Sequence, residues 1–238
     1  MGKNHCVVYD LDGTLAATIQ DIAASVNRTR HDYGLPEHPI DKIVSYTGDG
    51  ARKLLERSFS DHPINWDEGL ERMVRHYYDH PAENTTLYPG VSKGLAVLKR
   101  AGWKLAVVTN KPGIVAREII KRLGIIQYLD EIIGGNDGFP LKPDPEVLFY
   151  LMKKYDAAPA DSWVLGDNHT NMNSASNAGM NGAYATWGYG FPADTVYKIK
   201  VDFFEQFTQY LLNVDMLNEN RTFNFELKHA GINRARVT

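Results

Sequence analysis

Two aspartates near the start of the chain, Asp10 and Asp12, directly follow a short apolar run and precede Gly13. A carboxylate can attack phosphorus to form an aspartyl-phosphate, which water then hydrolyses. The leaving oxygen needs a proton and the attacking water must lose one, and a second carboxylic acid two residues away can serve both steps. The pair therefore permits phosphoryl transfer, with one aspartate as nucleophile and the other as acid/base.

Other polar residues follow apolar runs further along the chain and suit the same chemistry. Thr109 and Asn110 follow the run that ends at Val108, and a threonine hydroxyl with the next backbone N–H can hold a phosphoryl oxygen. Lys142, in Leu-Lys-Pro-Asp-Pro, can neutralise both the nucleophile and the phosphoryl oxygens. These residues are the candidates for phosphate binding.

Clustered carboxylates repel each other and the phosphate, so the chemistry requires a divalent cation. Mg²⁺ prefers oxygen ligands and keeps several waters, which suits Asp10, the backbone carbonyl of Asp12, and Asp167 after the run Trp163-Val-Leu. Gly13 lets the loop pass close to this site. The sequence thus predicts a Mg²⁺ site with Asp10, Asp12 and Asp167 as ligands.

The elements that must position these residues alternate between strand and helix patterns. Apolar runs of strand length occur at 6–9, 105–108, 163–165 and, more weakly, at 131–133 and 182–185. Helical patterns separate them, at 91–101, 115–123 and 147–155. We therefore expect an α/β fold, a Rossmann-like parallel sheet with helices on both faces. Its ligands would bind at the carboxyl ends of the strands.

Helical patterns without a strong strand fill the region between the first two main strands. Thr18 and Asp21 resemble a capping box at the start of its first helix, and the apolar stripe from Trp66 to Tyr77 suits core packing. The predicted organisation is a core of residues 1–15 and 86–213, a helical cap at 16–85, and an unassigned tail at 214–238. Within the core, 196–201 could form an edge strand and 203–211 a helix.

Bulk composition excludes several classes of protein. The net charge is −3 and no run of Lys or Arg is present, so nucleic acid is not an expected partner. No stretch is apolar for the length of a membrane helix, so no membrane association is expected. The lone Cys6 excludes an internal disulfide framework and suits a reducing compartment. We expect a cytoplasmic protein, either a monomer or a homodimer, whose partner is a small phosphorylated metabolite.

Four motifs, in order, resemble those of the haloacid dehalogenase superfamily: Asp10-Leu-Asp-Gly-Thr-Leu, Val107-Val-Thr-Asn-Lys, Leu141-Lys-Pro-Asp-Pro and Leu165-Gly-Asp. The helical insertion and the Trp187-Gly-Tyr-Gly segment resemble its phosphoglycolate phosphatase-like branch in particular. The resemblance implies that Asp10 is the nucleophile and Asp12 the acid/base. It also implies that Thr109 and Lys142 hold the phosphate and that Asp167 binds the metal.

Two positions depart from the family pattern. Asn171 stands where the fourth motif usually has a second Asp; its amide oxygen could hold a metal-bound water without adding charge, which predicts weaker Mg²⁺ binding. The loop after Thr14 reads Leu15-Ala-Ala-Thr where the branch often has Leu-x-Asp-Ser. That change predicts the loss of a polar hinge contact.

The first hypothesis is a Mg²⁺-dependent phosphatase that hydrolyses a small, phosphoglycolate-like monoester through an aspartyl-phosphate. The same site could serve a nucleotidase, a pyrophosphatase, or a sugar-phosphate phosphatase or mutase. A weakly catalytic binding or regulatory protein is a further alternative, with Asn171 as its marker. A dehalogenase is disfavoured because that chemistry needs neither a metal nor a second acid.

Overall fold

The protein is described from a computed structural model, which covers residues 4–214. The strands are β1 (Asn4–Tyr9), β2 (Ala16–Ala17), β3 (Thr86–Leu87), β4 (Lys104–Val108), β5 (Glu131–Ile133), β6 (Ala157–Gly166), β7 (Asn181–Ala185) and β8 (Ile199–Val201). The helices are α1 (Ile19–Asp32), α2 (Ile40–Val44), α3 (Ala51–Ser58), α4 (Trp66–Asp79), α5 (Val91–Arg100), α6 (Gly113–Arg122), α7 (Glu146–Tyr155), α8 (His169–Asn177) and α9 (204–214). None of the helices within this range is long and apolar enough to cross a bilayer.

Six strands form one parallel sheet in the order β5-β4-β1-β6-β7-β8. This is the doubly wound order, whose direction of winding reverses at the first strand. Val8 of β1 pairs with Ala106 of β4 on one side and with Val164 of β6 on the other. The predicted α/β sheet is confirmed, and its topology brings the carboxyl ends of β1, β4 and β6 side by side.

Toward their carboxyl ends the three central strands, β1, β4 and β6, are buried on both faces, which explains why these parts are continuous apolar runs in the sequence. Alternate residues enter two separate cores because successive side chains of a strand point to opposite faces. Val7 and Tyr9 pack in a core with α5, α6, α9 and the helical insertion. Cys6 and Val8 pack in the other core, against α7 and α8. Burial raises the pKa of the Cys6 thiol to about 12, so this side chain is an inert part of the packing.

Most predicted elements are present, and the differences have local causes. The strand predicted at 163–165 extends back to Ala157, through a more exposed stretch that lacks the apolar signal. The predicted edge strand is the short β8, and the helix expected at 203–211 is α9. Helix α8 was not predicted because its buried face is largely polar or small, with Met172 as its one large apolar residue. Of the unassigned tail, 215–238 lies outside the described residues.

Helices α1 to α4 lie between β2 and β3, which pair with each other in antiparallel fashion. Ala16 pairs with Leu87, and Tyr88 N donates to Leu15 O at 3.1 Å, so the entry and the exit of the insertion lie side by side. Inside the insertion, the buried Arg30 donates to both carboxylate oxygens of Asp61, at 2.9 and 2.8 Å. That guanidinium holds the pKa of Asp61 at about 2. The ion pair ties α1 to the segment after α3.

The capping box predicted for Thr18 and Asp21 is wrong. Thr18 is the residue before α1, but its side chain makes no capping hydrogen bond. The Asp21 carboxylate instead accepts hydrogen bonds from the backbone and side chains of Asn84 and Thr85, at 2.6 to 3.0 Å. Both side chains therefore bond to residues distant in the sequence rather than to the start of the helix. The hydrogen bonds of Asp21 connect α1 to the segment just before β3.

We expect Asp21→Ala to lower the free energy of unfolding by roughly 2–4 kcal/mol, because the variant leaves several buried donors without an acceptor. Urea denaturation followed by circular dichroism measures this change. Glu71→Ala is the matched control, since Glu71 is 71% exposed in its pair with Arg75, and its effect should stay within about 0.5 kcal/mol. Equal midpoints for the two variants would contradict the role assigned to Asp21.

Candidate active site

Asp10 lies at the carboxyl end of β1 and is 6% exposed. Its Oδ1 accepts a hydrogen bond from the Leu11 backbone at 2.7 Å and lies 3.0 Å from Lys142 Nζ. The lysine is itself buried and also donates to Val108 O at 2.7 Å. A buried carboxylate needs such donors to remain charged, and the lysine brings a full positive charge as well. The structure therefore places Lys142 beside Asp10, as the sequence predicts.

Asp12 follows on the same loop, and two polar side chains contact its carboxyl group. Thr18 Oγ1 donates to Asp12 Oδ1 at 2.6 Å and lies 2.9 Å from Tyr189 OH. Lys111 Nζ lies 3.0 Å from Asp12 Oδ2. A polar contact at the hinge, predicted to be lost, is therefore present and is made by Thr18. Thr18 and Lys111 therefore hold the carboxyl group of Asp12, and Tyr189 contacts Thr18 from a third segment.

Asp167 follows β6 and is 1% exposed. Gly190 N donates to Asp167 Oδ2 at 2.9 Å, while Thr14 Oγ1 lies 3.5 Å from Oδ1. Burial, and then the negative charge of Asp10, raise the pKa of Asp167 to about 7. The two carboxylates are thus close enough to repel each other.

Gly13 keeps the space beside Asp167 open. Its φ is +75°, a conformation that suits glycine, and a Cβ at this position would overlap Asp167 Oδ2. Only a residue without a side chain can therefore occupy this part of the loop.

The donor set at this edge fits a hard cation. Within residues 4–214, no three His, Cys, Asp or Glu side chains group closely enough to hold a metal by themselves. The oxygen donors that the loops offer are the carboxylates of Asp10 and Asp167 with the Asp12 carbonyl, and Mg²⁺ commonly completes a small protein set of this kind with water. The mutual repulsion of Asp10 and Asp167 is the feature that a cation would relieve.

Thr109 and Asn110 follow β4 and line the same cavity as the aspartates. Thr109 Oγ1 accepts a hydrogen bond from Lys111 N at 3.2 Å. The Asn110 side chain exchanges hydrogen bonds with the backbone of Lys142, at 2.9 and 3.1 Å, and donates to Gly48 O at 3.0 Å. The Asn110 side chain therefore joins the core loops to one another and to the insertion.

Asn171 is oriented differently from what the sequence analysis expects. Its Oδ1 accepts the backbone N–H of Asn168 at 3.2 Å in a capping box at the start of α8. Its Nδ2 donates to Asp10 Oδ2 at 2.8 Å. The expectation that the amide oxygen could hold a metal-bound water is wrong for this arrangement, because that oxygen caps α8 and the amino group faces the carboxylate.

The site opens into a cavity of about 190 Å³ between the sheet edge and the helical insertion. The core supplies the polar groups of its lining, including all the predicted side chains: Asp10, Asp12, Thr109, Asn110, Lys142 and Asp167. The insertion supplies mostly apolar or hydroxyl side chains, among them Ile22, Ser25, Val44, Thr47, Leu54, Met73, Val74 and Tyr77. A cavity with polar groups on one side and mostly apolar side chains on the other is typical of a site for a small organic ligand.

Four residues at the site were not among the predicted side chains: Thr18, Tyr77, Lys111 and Tyr189. Lys111 is the last residue of the motif Val107-Val-Thr-Asn-Lys, so the motif itself was a usable signal. Tyr77 lies in the stripe interpreted as core packing, but it also lines the cavity. Thr18 and Tyr189 meet across distant parts of the chain, and no pattern of spacing indicates that contact.

Comparison with known proteins agrees with this geometry. A model of the haloacid dehalogenase-like hydrolase family matches residues 7–185. The phosphoglycolate phosphatase of Aquifex aeolicus is 33% identical over 183 residues, which cover 77% of this chain and 85% of that protein. The phosphoglycolate phosphatase of Colwellia psychrerythraea is 33% identical over 200 residues, covering 81% of this chain and 88% of that protein.

Solved structures show the same likeness. The crystal structure of a predicted phosphoglycolate phosphatase from Haemophilus somnus superposes with a TM-score of 0.80 at 27% identity, covering 88% of this chain and 99% of that one. The family model spans most of the chain, and these relatives cover about three quarters of it or more. The chain therefore belongs to the haloacid dehalogenase-like hydrolase family, and it is a phosphatase.

Proposed function

We propose that the protein hydrolyses a small phosphate monoester whose alcohol carries a carboxylate, with phosphoglycolate as the first candidate. The observation that carries this proposal is the meeting of Asp10, Asp12, Lys142 and Asp167 in one cavity. The relatives named as phosphoglycolate phosphatases support the choice of substrate. The cavity, at about 190 Å³, suits a small molecule.

In the first step of the proposed mechanism, a carboxylate oxygen of Asp10 attacks phosphorus and the ester P–O bond breaks. Asp12 gives its proton to the departing oxygen, so that oxygen leaves as a neutral hydroxyl group of the product. Lys142, 3.0 Å from Asp10, offsets the charge of the nucleophile and of the phosphoryl oxygens. The Thr109 hydroxyl and the Asn110 backbone N–H hold a phosphoryl oxygen.

In the second step, water attacks the phosphorus of the aspartyl-phosphate and passes a proton to Asp12. The bond between phosphorus and the Asp10 oxygen breaks, which releases inorganic phosphate and restores both carboxyl groups. The hydrogen bond from Thr18 and the ion pair with Lys111 hold Asp12 in place for both proton transfers.

We further propose that the enzyme depends on Mg²⁺, held by Asp10, Asp167 and the Asp12 carbonyl. When bound, Mg²⁺ supplies positive charge that offsets the repulsion between the carboxylates and the phosphate. Support comes from the oxygen donor set and from the raised pKa of Asp167. Since Asn171 already uses its oxygen to cap α8, we retain the expectation of weaker metal binding than in relatives with an aspartate there.

We also propose that residues 16–85 act as a cap over a core of 1–15 and 86–213. Its contacts with the core include the bond from Asn110 to Gly48 and the position of Lys111 against Tyr77. A cap that closes over the site excludes bulk water during phosphoryl transfer. A monomer or homodimer acting in the cytoplasm remains our proposal, and the buried thiol Cys6 suits a reducing compartment.

The test is hydrolysis of a panel of phosphate esters with and without Mg²⁺. The panel contains phosphoglycolate, p-nitrophenyl phosphate, a nucleoside monophosphate, pyrophosphate and a sugar phosphate. We expect kcat/KM to be highest for phosphoglycolate, activity to disappear after chelation, and added Mg²⁺ to restore it. A nucleotide, pyrophosphate or sugar phosphate as the best substrate would replace the proposed substrate, and phosphate binding without turnover would indicate a binding protein.

A further inference from the structure

Lys111 is a buried lysine in the cavity whose contact with substrate the proposed mechanism does not use. It follows Thr109 and Asn110 and is 7% exposed. Its Nζ lies 3.0 Å from Asp12 Oδ2 and 4.3 Å from the centre of the Tyr77 ring on α4. A buried ammonium group is costly unless it is paired, and in this structure its partner is the carboxyl group of Asp12, which places the positive charge directly beside the proposed acid/base.

The proposed mechanism fixes where the leaving group begins. Asp12 gives its proton to the leaving oxygen, so that oxygen lies within hydrogen-bond distance of Asp12. Lys111 Nζ contacts the same carboxyl group, and its flexible stem lets the charge shift toward a neighbouring anion. A carboxylate one carbon away from the leaving oxygen therefore falls within reach of Lys111, whereas Lys142 serves the nucleophile.

Two arginines of the insertion pair with carboxylates of the insertion itself. Among the described residues that line the cavity, the lysines and arginines are Lys111 and Lys142. In the insertion, Arg52 pairs with Asp67 at 2.6 Å, and Arg57 pairs with Asp49 at 2.6 Å. With Lys142 paired with Asp10, Lys111 is therefore the lysine of this cavity that lies beside Asp12 and can meet an anionic leaving group.

Tyr77, which lies against Lys111, has a buried hydroxyl that could also meet the ligand. Its hydroxyl is buried and has no hydrogen-bond partner among the residues described. Burial raises the pKa of Tyr77 well above its usual value, so the group remains a donor. Buried donors are usually satisfied, and a bound ligand is one way to satisfy this one.

We propose that Lys111 is a specificity-determining residue that binds the carboxylate of the leaving group. It thereby selects phosphate monoesters of 2-hydroxy acids over those of neutral alcohols. This inference rests on the proposed function, because it takes Asp12 as the group that protonates the leaving oxygen.

The experiment compares phosphoglycolate with 2-hydroxyethyl phosphate, which replaces the carboxylate with a neutral hydroxymethyl group. We expect the wild-type protein to prefer phosphoglycolate. In Lys111→Met the ratio of the two kcat/KM values should fall by roughly 10–100-fold, the size of one charge-assisted hydrogen bond, and mainly through KM for phosphoglycolate. Any loss from the broken contact with Asp12 affects both substrates and cancels in the ratio.

Lys111→Arg should retain more of the preference than Lys111→Met, since it keeps the charge. Lys121→Met, at a lysine whose side chain is 71% exposed on α6, is the control and should leave the ratio unchanged. An unchanged ratio in Lys111→Met would overturn the proposal. So would a wild-type protein that hydrolyses phosphate esters without preferring the acid.

Two further results are possible: the wild-type protein hydrolyses no phosphate ester, or the Lys111→Met variant does not fold. A wild-type protein that hydrolyses no phosphate ester overturns the proposed function, and the proposal about Lys111 with it. If Lys111→Met does not fold, inhibition of the wild-type protein decides instead. Glycolate should compete with p-nitrophenyl phosphate far better than ethylene glycol does, and equal inhibition would overturn the proposal.

Discussion

Asp10→Asn is expected to lower kcat toward every phosphate ester by about 10⁴-fold or more, because the amide cannot form the acyl-phosphate bond. The substitution keeps the size and shape of a side chain that is 6% exposed, so the packing around β1 should survive. Steady-state kinetics with p-nitrophenyl phosphate and phosphoglycolate measure the loss. Circular dichroism confirms that the variant is folded.

A trapping experiment identifies the nucleophile directly. Acid quenching of the wild-type protein during turnover should leave one phosphoryl group on the peptide that contains Asp10, and none in Asp10→Asn. Asp67→Asn is the control, since the Asp67 side chain is 90% exposed and lies on α4. Retained activity in Asp10→Asn, or a phosphoryl group on a different residue, would refute the proposed mechanism.

Asp12→Asn should produce a loss that depends on the leaving group. For phosphoglycolate, whose alkoxide is a poor leaving group, we expect kcat to fall by roughly 10²–10⁴-fold. For p-nitrophenyl phosphate the loss in the first step should be much smaller, because nitrophenolate leaves without a proton. The second step still needs a base, so the aspartyl-phosphate should accumulate with the aryl substrate.

Rapid-quench kinetics with both substrates separate these two effects. A burst of nitrophenol followed by slow turnover is the expected result for Asp12→Asn. Equal losses for the two substrates, with no burst, would mean that Asp12 acts by holding Lys111 or Thr18 in place rather than by moving protons.

The sequence was informative where burial is complete. Strands β1, β4 and β6 are enclosed on both faces toward their carboxyl ends, so each contains an unbroken apolar run there, and the polar residues after each run must meet at one edge. This argument places Asp10, Thr109 and Asp167 together without any structure. Helix α8 lacked such a signal, because its buried face includes Thr170, Asn171 and Ser174.

Side-chain direction was the part that spacing could not predict. Thr18 and Asp21 match the pattern of a capping box, yet stronger partners lie on segments far along the chain: Tyr189 for one, and Asn84 and Thr85 for the other. Asn171 matches a metal-site position, but the orientation of its amide is decided by the backbone N–H of Asn168. Such competition among tertiary contacts becomes visible only when the fold is known.

The hydroxyl of Thr18 has a consequence for the timing of events at the site. Thr18 is the residue from which α1 starts, and it holds Asp12 at 2.6 Å and Tyr189 at 2.9 Å. If α1 moves away from the core, the hydrogen bond between Thr18 and the Asp12 carboxyl group breaks. The orientation of the Asp12 carboxyl group therefore depends on the position of α1. When the helical insertion moves away from the core, Asp12 loses the contact that orients it for proton transfer.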